Sequence, residues 1–320
     1  MTLANEPIIA GRYRLGPLVG AGGMGIVYCA EDLRDGGEVA VKLVHPDRIE
    51  DAAATGYLRG ESRAIGRIRH HNVVAVLAGG VTDDAEPYLV MELVRGRSLR
   101  DLIHDDGPLS VMRASKIVRQ VLAGIDAIHD AGFVHGDVKA DNVLIDDNDD
   151  ITLIDLGLMR CLREVDHDGY ASGTPDYMPP EVIRGEPAIV GSDLYSVGAL
   201  LYELLTGAPP FTGGSSCAIL CRHLEDDVVL PSLRCPERQF SRGIESVVLC
   251  ALEKRPEHRF ASARSFAEAL RSATPATEQP TAATQFTPTM THAATADWNP
   301  PTAQMRRRFA AGTRPPGYRR

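Results

Sequence analysis

From His135 to Asn142 the chain reads His-Gly-Asp-Val-Lys-Ala-Asp-Asn and so gathers a carboxylate, an ammonium and a carboxamide into one short loop. Apolar Val143-Leu144-Ile145 follows, a run of strand formers that would hold the loop beside a buried sheet. Transfer of a phosphoryl group asks for an acceptor for the proton of the attacking hydroxyl, a cation near the moving group, and hard oxygen ligands for Mg²⁺. Asp137, Lys139 and Asn142 fit those roles in that order. Thirteen residues beyond Asn142, Ile154-Asp155-Leu156-Gly157 ends a second apolar run with a carboxylate beside a glycine, which suits a further oxygen contact on the same metal. The acidic run from Asp146 to Asp150 reads as a turn rather than as a metal site.

Upstream, Gly20-Ala21-Gly22-Gly23-Met24-Gly25 is a G-x-G-x-x-G, a pattern that dinucleotide-binding folds also use. In those folds the third glycine opens a helix, whereas Ile26-Val27-Tyr28 follows here, β-branched and aromatic, so the glycines cap a strand-turn-strand flap. Such a flap lets backbone N–H groups approach phosphate oxygens closely. Val39-Ala40-Val41-Lys42 then places an ammonium on a neighbouring strand, where it can pair phosphate oxygens, and Glu61 on the next helical stretch is the carboxylate expected to hold that lysine.

The elements that must position these groups fall into two sets. Before about residue 93, Tyr13–Leu18, Gly25–Ala30, Glu38–Val44, Val74–Ala78 and Tyr88–Met91 read as strands, interrupted by one helix between Thr55 and Arg69 whose stripe is Leu58, Ile65 and Ile68. After Gly96 come long helical patterns at Val111–Ala131, Gly191–Thr206, Ser241–Leu252 and Ser262–Ala273. The spacing predicts an N-terminal extension over 1–11, a small β-rich lobe over 12–93, a larger helical lobe over 94–273 and a tail over 274–320. With 10 Thr, 9 Ala and 7 Pro in 47 residues, the tail has no periodic apolar face and is expected to be disordered.

Charge and composition exclude several classes. The chain has 320 residues, 44% of them hydrophobic, and a formal charge of -9, which argues against general nucleic-acid binding. The tail, with 6 Arg against one Glu and one Asp, is basic, and docking through it is an open option. No run approaches the roughly 20 apolar residues of a membrane-spanning helix, and Met1–Arg14 lacks the core of a secretory signal, so the expected address is the cytoplasm. Cys29, Cys161, Cys217, Cys221, Cys235 and Cys250 show no C-x-x-C spacing, as in a reducing compartment. Cys217 and Cys221 read as packing residues of one helix face rather than as a zinc site.

Taken together these motifs resemble the bacterial Ser/Thr branch of the Hanks-type protein kinases, over about Tyr13 to Arg271. Glycine flap, strand lysine, helix glutamate, catalytic loop, Asp-x-Gly and the segment Gly173-Thr174-Pro175-Asp176-Tyr177-Met178-Pro179-Pro180-Glu181 occur in the family's order. The resemblance implies an α+β bilobal fold, with a small antiparallel lobe carrying one helix and a larger, mainly helical lobe. It implies ATP and Mg²⁺ or Mn²⁺ as cofactors and protein Ser/Thr hydroxyls as acceptors. By resemblance Glu181 pairs with Arg259, Asp193 braces the catalytic loop, and Thr174 contacts Asp137 and Lys139 to position substrate. Val27, Ala40 and Leu144 would lie beside adenine, Met91 at the gate of its pocket, and Glu92 with the backbone of Val94 at the hinge. Ile65, Val76, His135 and Leu156 would form an internal apolar column.

Two departures carry weight. Family members usually have arginine at the position of Gly136, where it neutralises a phosphate on the activation segment. Leu158 to Ala171 contains no Ser or Thr, only Tyr170. Both absences predict a kinase that does not need activation-segment phosphorylation. His-Gly-Asp also opens the catalytic loop of small-molecule phosphotransferases similar to aminoglycoside and choline kinases, but those lack the Gly173–Glu181 segment. A catalytically weak pseudokinase scaffold is the other alternative, and the presence of Lys42, Asp137 and Asp155 weighs against it. Self-association through the small lobe is a further open option.

Overall fold

The computed structural model describes residues 7–22, 25–44, 66–82, 86–156, 160–161 and 174–274. Its small lobe is built on β1 (Ile8–Ile9), β2 (Tyr13–Gly22), β3 (Gly25–Asp32), β4 (Glu38–Val44), β5 (Val76–Val81) and β6 (Pro87–Glu92), an antiparallel sheet in the order β1-β2-β3-β4-β6-β5. The two-residue alternation of β4 divides it between two interiors. Val39 and Val41 pack with Tyr13, Leu15, Ala30 and Val90 behind the sheet, while Ala40 faces the opposite way and joins Val76, Leu89 and Met91 in the main core. Register carries that division across the sheet, since Val27 lies opposite Lys42, Lys42 opposite Leu89, and Ala40 opposite Met91. A slip of one residue would turn Lys42 to the wrong face.

After β7 (Arg97–Ser98) come α1 (Leu99–Asp106) and α2 (Val111–Asp130), then β8 (Phe133–Val134), β9 (Val143–Ile145), β10 (Ile151–Leu153) and β11 (Arg160–Cys161). Ser98 caps α1 by accepting from the Asp101 amide, and the Asp101 side chain accepts in turn, a capping box. The remaining helices are α3 (Pro180–Ile183), α4 (Val190–Thr206), α5 (Ser216–Glu225), α6 (Pro231–Arg234), α7 (Arg242–Ala251) and α8 (Ala263–Ala273). α4 is buried from Ser192 to Thr206 and runs through the centre of the large lobe with α2 and α7 against it. At Gly198 a Cβ would stand 2.7 Å from that of Ala251, so glycine sets the approach of α4 to α7.

The architecture is the expected α+β arrangement of a small antiparallel lobe and a larger helical one. Three local differences stand out. Ile8–Ile9 pairs with Tyr13 and Arg14 through a turn at Ala10 and Gly11, both at positive φ, so part of the N-terminal extension joins the sheet. The helix predicted over Thr55–Arg69 lies mostly outside the described residues, and its described end opens with a turn at Gly66 and Arg67 that leads to buried Ile68. α1, eight residues long, is too short to stand out by periodicity and is not among the helices expected from the sequence. The tail beyond Thr274 lies outside the described residues.

Candidate active site

The loop between β8 and β9 is held from below by α4. Asp193, buried in its first turn, accepts the amides of His135 at 2.8 Å and Gly136 at 2.9 Å, with the His129 ring nitrogen at 2.7 Å. Burial alone would raise its pKa, but the His129 contact and the loop amides hold it below the usual carboxylate value. Gly136 takes φ +80° between those anchors. This is a region that a β-carbon disfavours, so glycine here does more than remove a cation.

Above the anchor the loop presents its polar groups inward. Asp137 is buried, and its Oδ2 accepts from Lys139 Nζ at 2.6 Å and from Asn142 Nδ2 at 3.0 Å. Its Oδ1 lies 3.3 Å from the Thr174 amide and 3.4 Å from the Thr174 hydroxyl. Lys139 also donates to Thr174 Oγ1 at 2.8 Å, so loop and peptide segment meet on one ammonium and one carboxylate. Asn142 spends both of its contacts to Asp137 through Nδ2, which leaves its carbonyl oxygen as a possible ligand. Asp155 follows β10 at φ +61°, a strained backbone for a non-glycine residue, and its carboxylate is paired with buried Lys42.

Glu61, the partner predicted for Lys42, lies outside the described residues, as do Gly23, Met24 and Ile65. Gly20 and Ala21 sit at the end of β2 opposite Val27 and Ile26, and Gly22 pairs with Gly25, so the glycine flap is a hairpin between two strands. Val27 is half-buried on the cleft face beside buried Ala40 and Met91. Leu144 is half-buried on β9, and the Glu92 amide donates to the Ala75 carbonyl at 2.9 Å just before half-buried Val94. His135, Val76 and Leu156 are all buried.

Further out, Arg259 donates to both oxygens of Glu181 at 2.7 and 2.8 Å, and Ser192 donates to the same carboxylate at 2.7 Å. Burial opposes the charge on Glu181, yet Arg259 keeps its pKa lowered. Sequence reasoning missed a second cluster. Arg100 on α1 donates to fully buried Glu203 on α4 and, at 2.6 Å, to the Tyr177 hydroxyl, which itself donates to Glu203. The Ala140 amide reaches the same hydroxyl at 3.4 Å, which ties the catalytic loop to the segment after Thr174. A single carboxylate within the apolar run Val197–Leu205 was the available signal, because a buried Glu must be paired. Cys217 and Cys221 are both exposed, which corrects the packing role expected for them: α5 turns His223 inward and these thiols to solvent.

Comparison with known proteins agrees with this geometry. The protein kinase domain model matches residues 13–272, and the chain belongs to that family. It is 37% identical over 269 residues to a probable serine/threonine-protein kinase of Corynebacterium efficiens, covering 81% of this chain and 41% of that protein. It is also 37% identical over 262 residues to the serine/threonine-protein kinase PknB of Mycolicibacterium smegmatis, covering 80% of this chain and 42% of the relative. With PknB of Mycobacterium tuberculosis H37Rv the identity is 36% over 262 residues. The chain thus spans about two-fifths of the length of these relatives. Among the described residues no helix is long and apolar enough to cross a membrane.

The family implies ATP and a divalent metal, and the donor set here fits both. Asn142 and Asp155 offer only oxygen, which suits a hard cation that keeps water and phosphate oxygens in its remaining positions. Lys42, buried on the cleft face, offers a charge for phosphate beneath the hairpin.

Proposed function

We propose that the chain is an ATP- and Mg²⁺-dependent serine/threonine protein kinase whose catalytic loop works without an arginine at position 136 and without an activation-segment phosphate. The observation that carries this reading is the convergence of Lys139, Asn142 and Thr174 on the carboxylate of Asp137. A carboxylate held from both oxygens cannot rotate, and phosphoryl transfer depends on positioning more than on covalent chemistry.

In this reading Asp137 orients the hydroxyl of the incoming Ser or Thr and takes up its proton. Lys139 offsets negative charge on the transferred group and holds Thr174, which positions the acceptor peptide. Lys42 and the Gly20–Gly25 hairpin orient the phosphates, with Glu61 steadying the lysine, and Val27, Ala40, Leu144, Met91, Glu92 and Val94 receive the adenine. Asn142 and Asp155 would hold Mg²⁺, which supplies charge neutralisation on the phosphates when bound. Independence from phosphorylation is supported by two anchors that need no phosphate: Asp193 beneath the loop, and the Arg100–Glu203–Tyr177 cluster at its far end.

The test is incubation with labelled ATP and Mg²⁺ or Mn²⁺, with a basic protein substrate in one arm and aminoglycosides and choline in another. Label is expected on protein Ser and Thr. The Asp137→Asn variant should lose about 10²–10⁴-fold in rate while binding ATP as the parent does. Label confined to the small molecules, or an Asp137→Asn variant as fast as the parent, would overturn the assignment.

A further inference from the structure

Cys217 and Cys221 stand one turn apart on α5 and both are exposed, whereas Cys235 is buried and Cys29 and Cys250 are half-buried. Oxidation of thiols follows thiolate character together with access to solvent, and of these five cysteines this pair is the most accessible to an oxidant. Helix residues four apart share a face, with Cβ atoms about 5–6 Å from each other. A disulfide needs about 3.5–4.5 Å between the same atoms. Closing the bond therefore requires this turn of α5 to distort.

That turn is fastened to the peptide-facing part of the molecule. Arg222, next to Cys221, donates to the Thr212 carbonyl, and His223 after it is fully buried. His223 Nδ1 lies 2.8 Å from the Tyr195 hydroxyl on α4, and its ring meets Phe211 edge-on with centroids 4.8 Å apart. Lys254 Nζ donates to the carbonyls of Arg222 and His223 at 3.3 and 2.9 Å. α5 packs on the turn Pro175–Tyr177, which directly follows Thr174. A distortion between Cys217 and Cys221 is thus passed on to the segment carrying Tyr177.

We propose that Cys217 and Cys221 form a peroxide-responsive dithiol, whose oxidation to an intrahelical disulfide shifts α5 against Pro175–Tyr177 and weakens docking of protein substrate. The effect on docking rests on the kinase reading above; the dithiol chemistry does not. One sulfur attacks a peroxide oxygen, the O–O bond breaks, and a sulfenic acid forms with release of water. The second sulfur attacks the sulfenic sulfur, the S–S bond forms, the S–O bond breaks, and the hydroxyl leaves as water with the second thiol proton. In sum two thiols lose two electrons and two protons, and hydrogen peroxide becomes two waters. A thiol reductant reverses the step.

The experiment treats the reduced full chain with hydrogen peroxide, alkylates the remaining thiols and digests with trypsin. Both cysteines fall in the tryptic peptide Gly185–Arg222, which has no other cysteine and no internal Lys or Arg. That peptide should be lighter by two hydrogens and resist alkylation until dithiothreitol is added. Amide exchange should rise across α5 and at Tyr177 and Met178, and KM for protein substrate should rise at least about threefold with KM for ATP unchanged. Cys221→Ser should abolish every one of these changes. Alkylation of both thiols after peroxide, sulfinic acid at either, a disulfide between two chains, or a disulfide that leaves exchange at Tyr177 and Met178 unaltered would overturn the proposal. A reduced chain that transfers no phosphoryl group overturns the kinase reading instead, and mass and amide exchange still decide the dithiol.

Discussion

Glu181 and Arg259 show how a buried ion pair is made tolerable at the scale of single residues. Both side chains are almost completely buried, and the guanidinium meets the carboxylate through two parallel contacts at 2.7 and 2.8 Å. The remaining donors of Arg259 reach the carbonyls of Gly191, Glu253 and Lys254, so neither ion leaves much of its hydrogen-bonding capacity unused. Removing one partner strands the other charge away from water. Glu181→Gln or Arg259→Leu should lower unfolding free energy by about 3–5 kcal/mol, read from urea denaturation. A loss under about 1 kcal/mol would mean that the pair is solvated and its role overstated.

At the scale of elements, the catalytic loop is a strap between two fixed points on α4. Asp193 holds its start, and Glu203, three helical turns later, holds Tyr177 and through it Ala140. Between these points the loop passes through Gly136 at φ +80°. An L-residue with a β-carbon resists that conformation. Gly136→Ala should therefore destabilise the protein by about 1–2 kcal/mol and lower the transfer rate with ATP affinity kept, measured by thermal unfolding and steady-state kinetics. If alanine is accepted without loss, the loop has an alternative path and Asp193 is not its constraint.

Across the whole molecule the pH response should be governed by groups buried in the large lobe. Burial, reinforced by Lys254, pushes His223 down to about 4, while the backbone of Asp176 opposes the shift. The unfolded chain titrates this ring near the ordinary value of about 6.5, so between those two pH values the unfolded state binds the extra proton and the folded state does not. The contribution of neutral His223 is fully present above the upper value and is lost as pH falls toward the lower one. Its full size is on the order of 3 kcal/mol. A Tm that declines through that window, with a flatter profile in His223→Asn, is the expected result; identical profiles for parent and variant would assign acid sensitivity elsewhere.

How much of this was legible in the chain depends on the distance over which each signal acts. The strand after the glycine flap and the alternation around Lys42 are written in neighbouring residues, because backbone period acts over a few positions. The order of the motifs was enough to anticipate the bilobal fold. Two of the residues gathered around Asp137 were also named from the loop itself, since Lys139 and Asn142 lie within five positions of it, whereas Thr174 was named only through the family resemblance. Contacts that bridge long separations were not legible without the family resemblance. The partnership of Arg100 with Glu203, and of both with Tyr177, depends on how α1, α4 and the Pro175–Tyr177 turn pack, and no periodicity encodes it. The same holds for Cys217 and Cys221: four-residue spacing set them on one face of a helix, but only packing decided that His223 took the inside and the thiols the outside. A helix carries its own period in its sequence, whereas which face meets the core is settled by the elements that surround it.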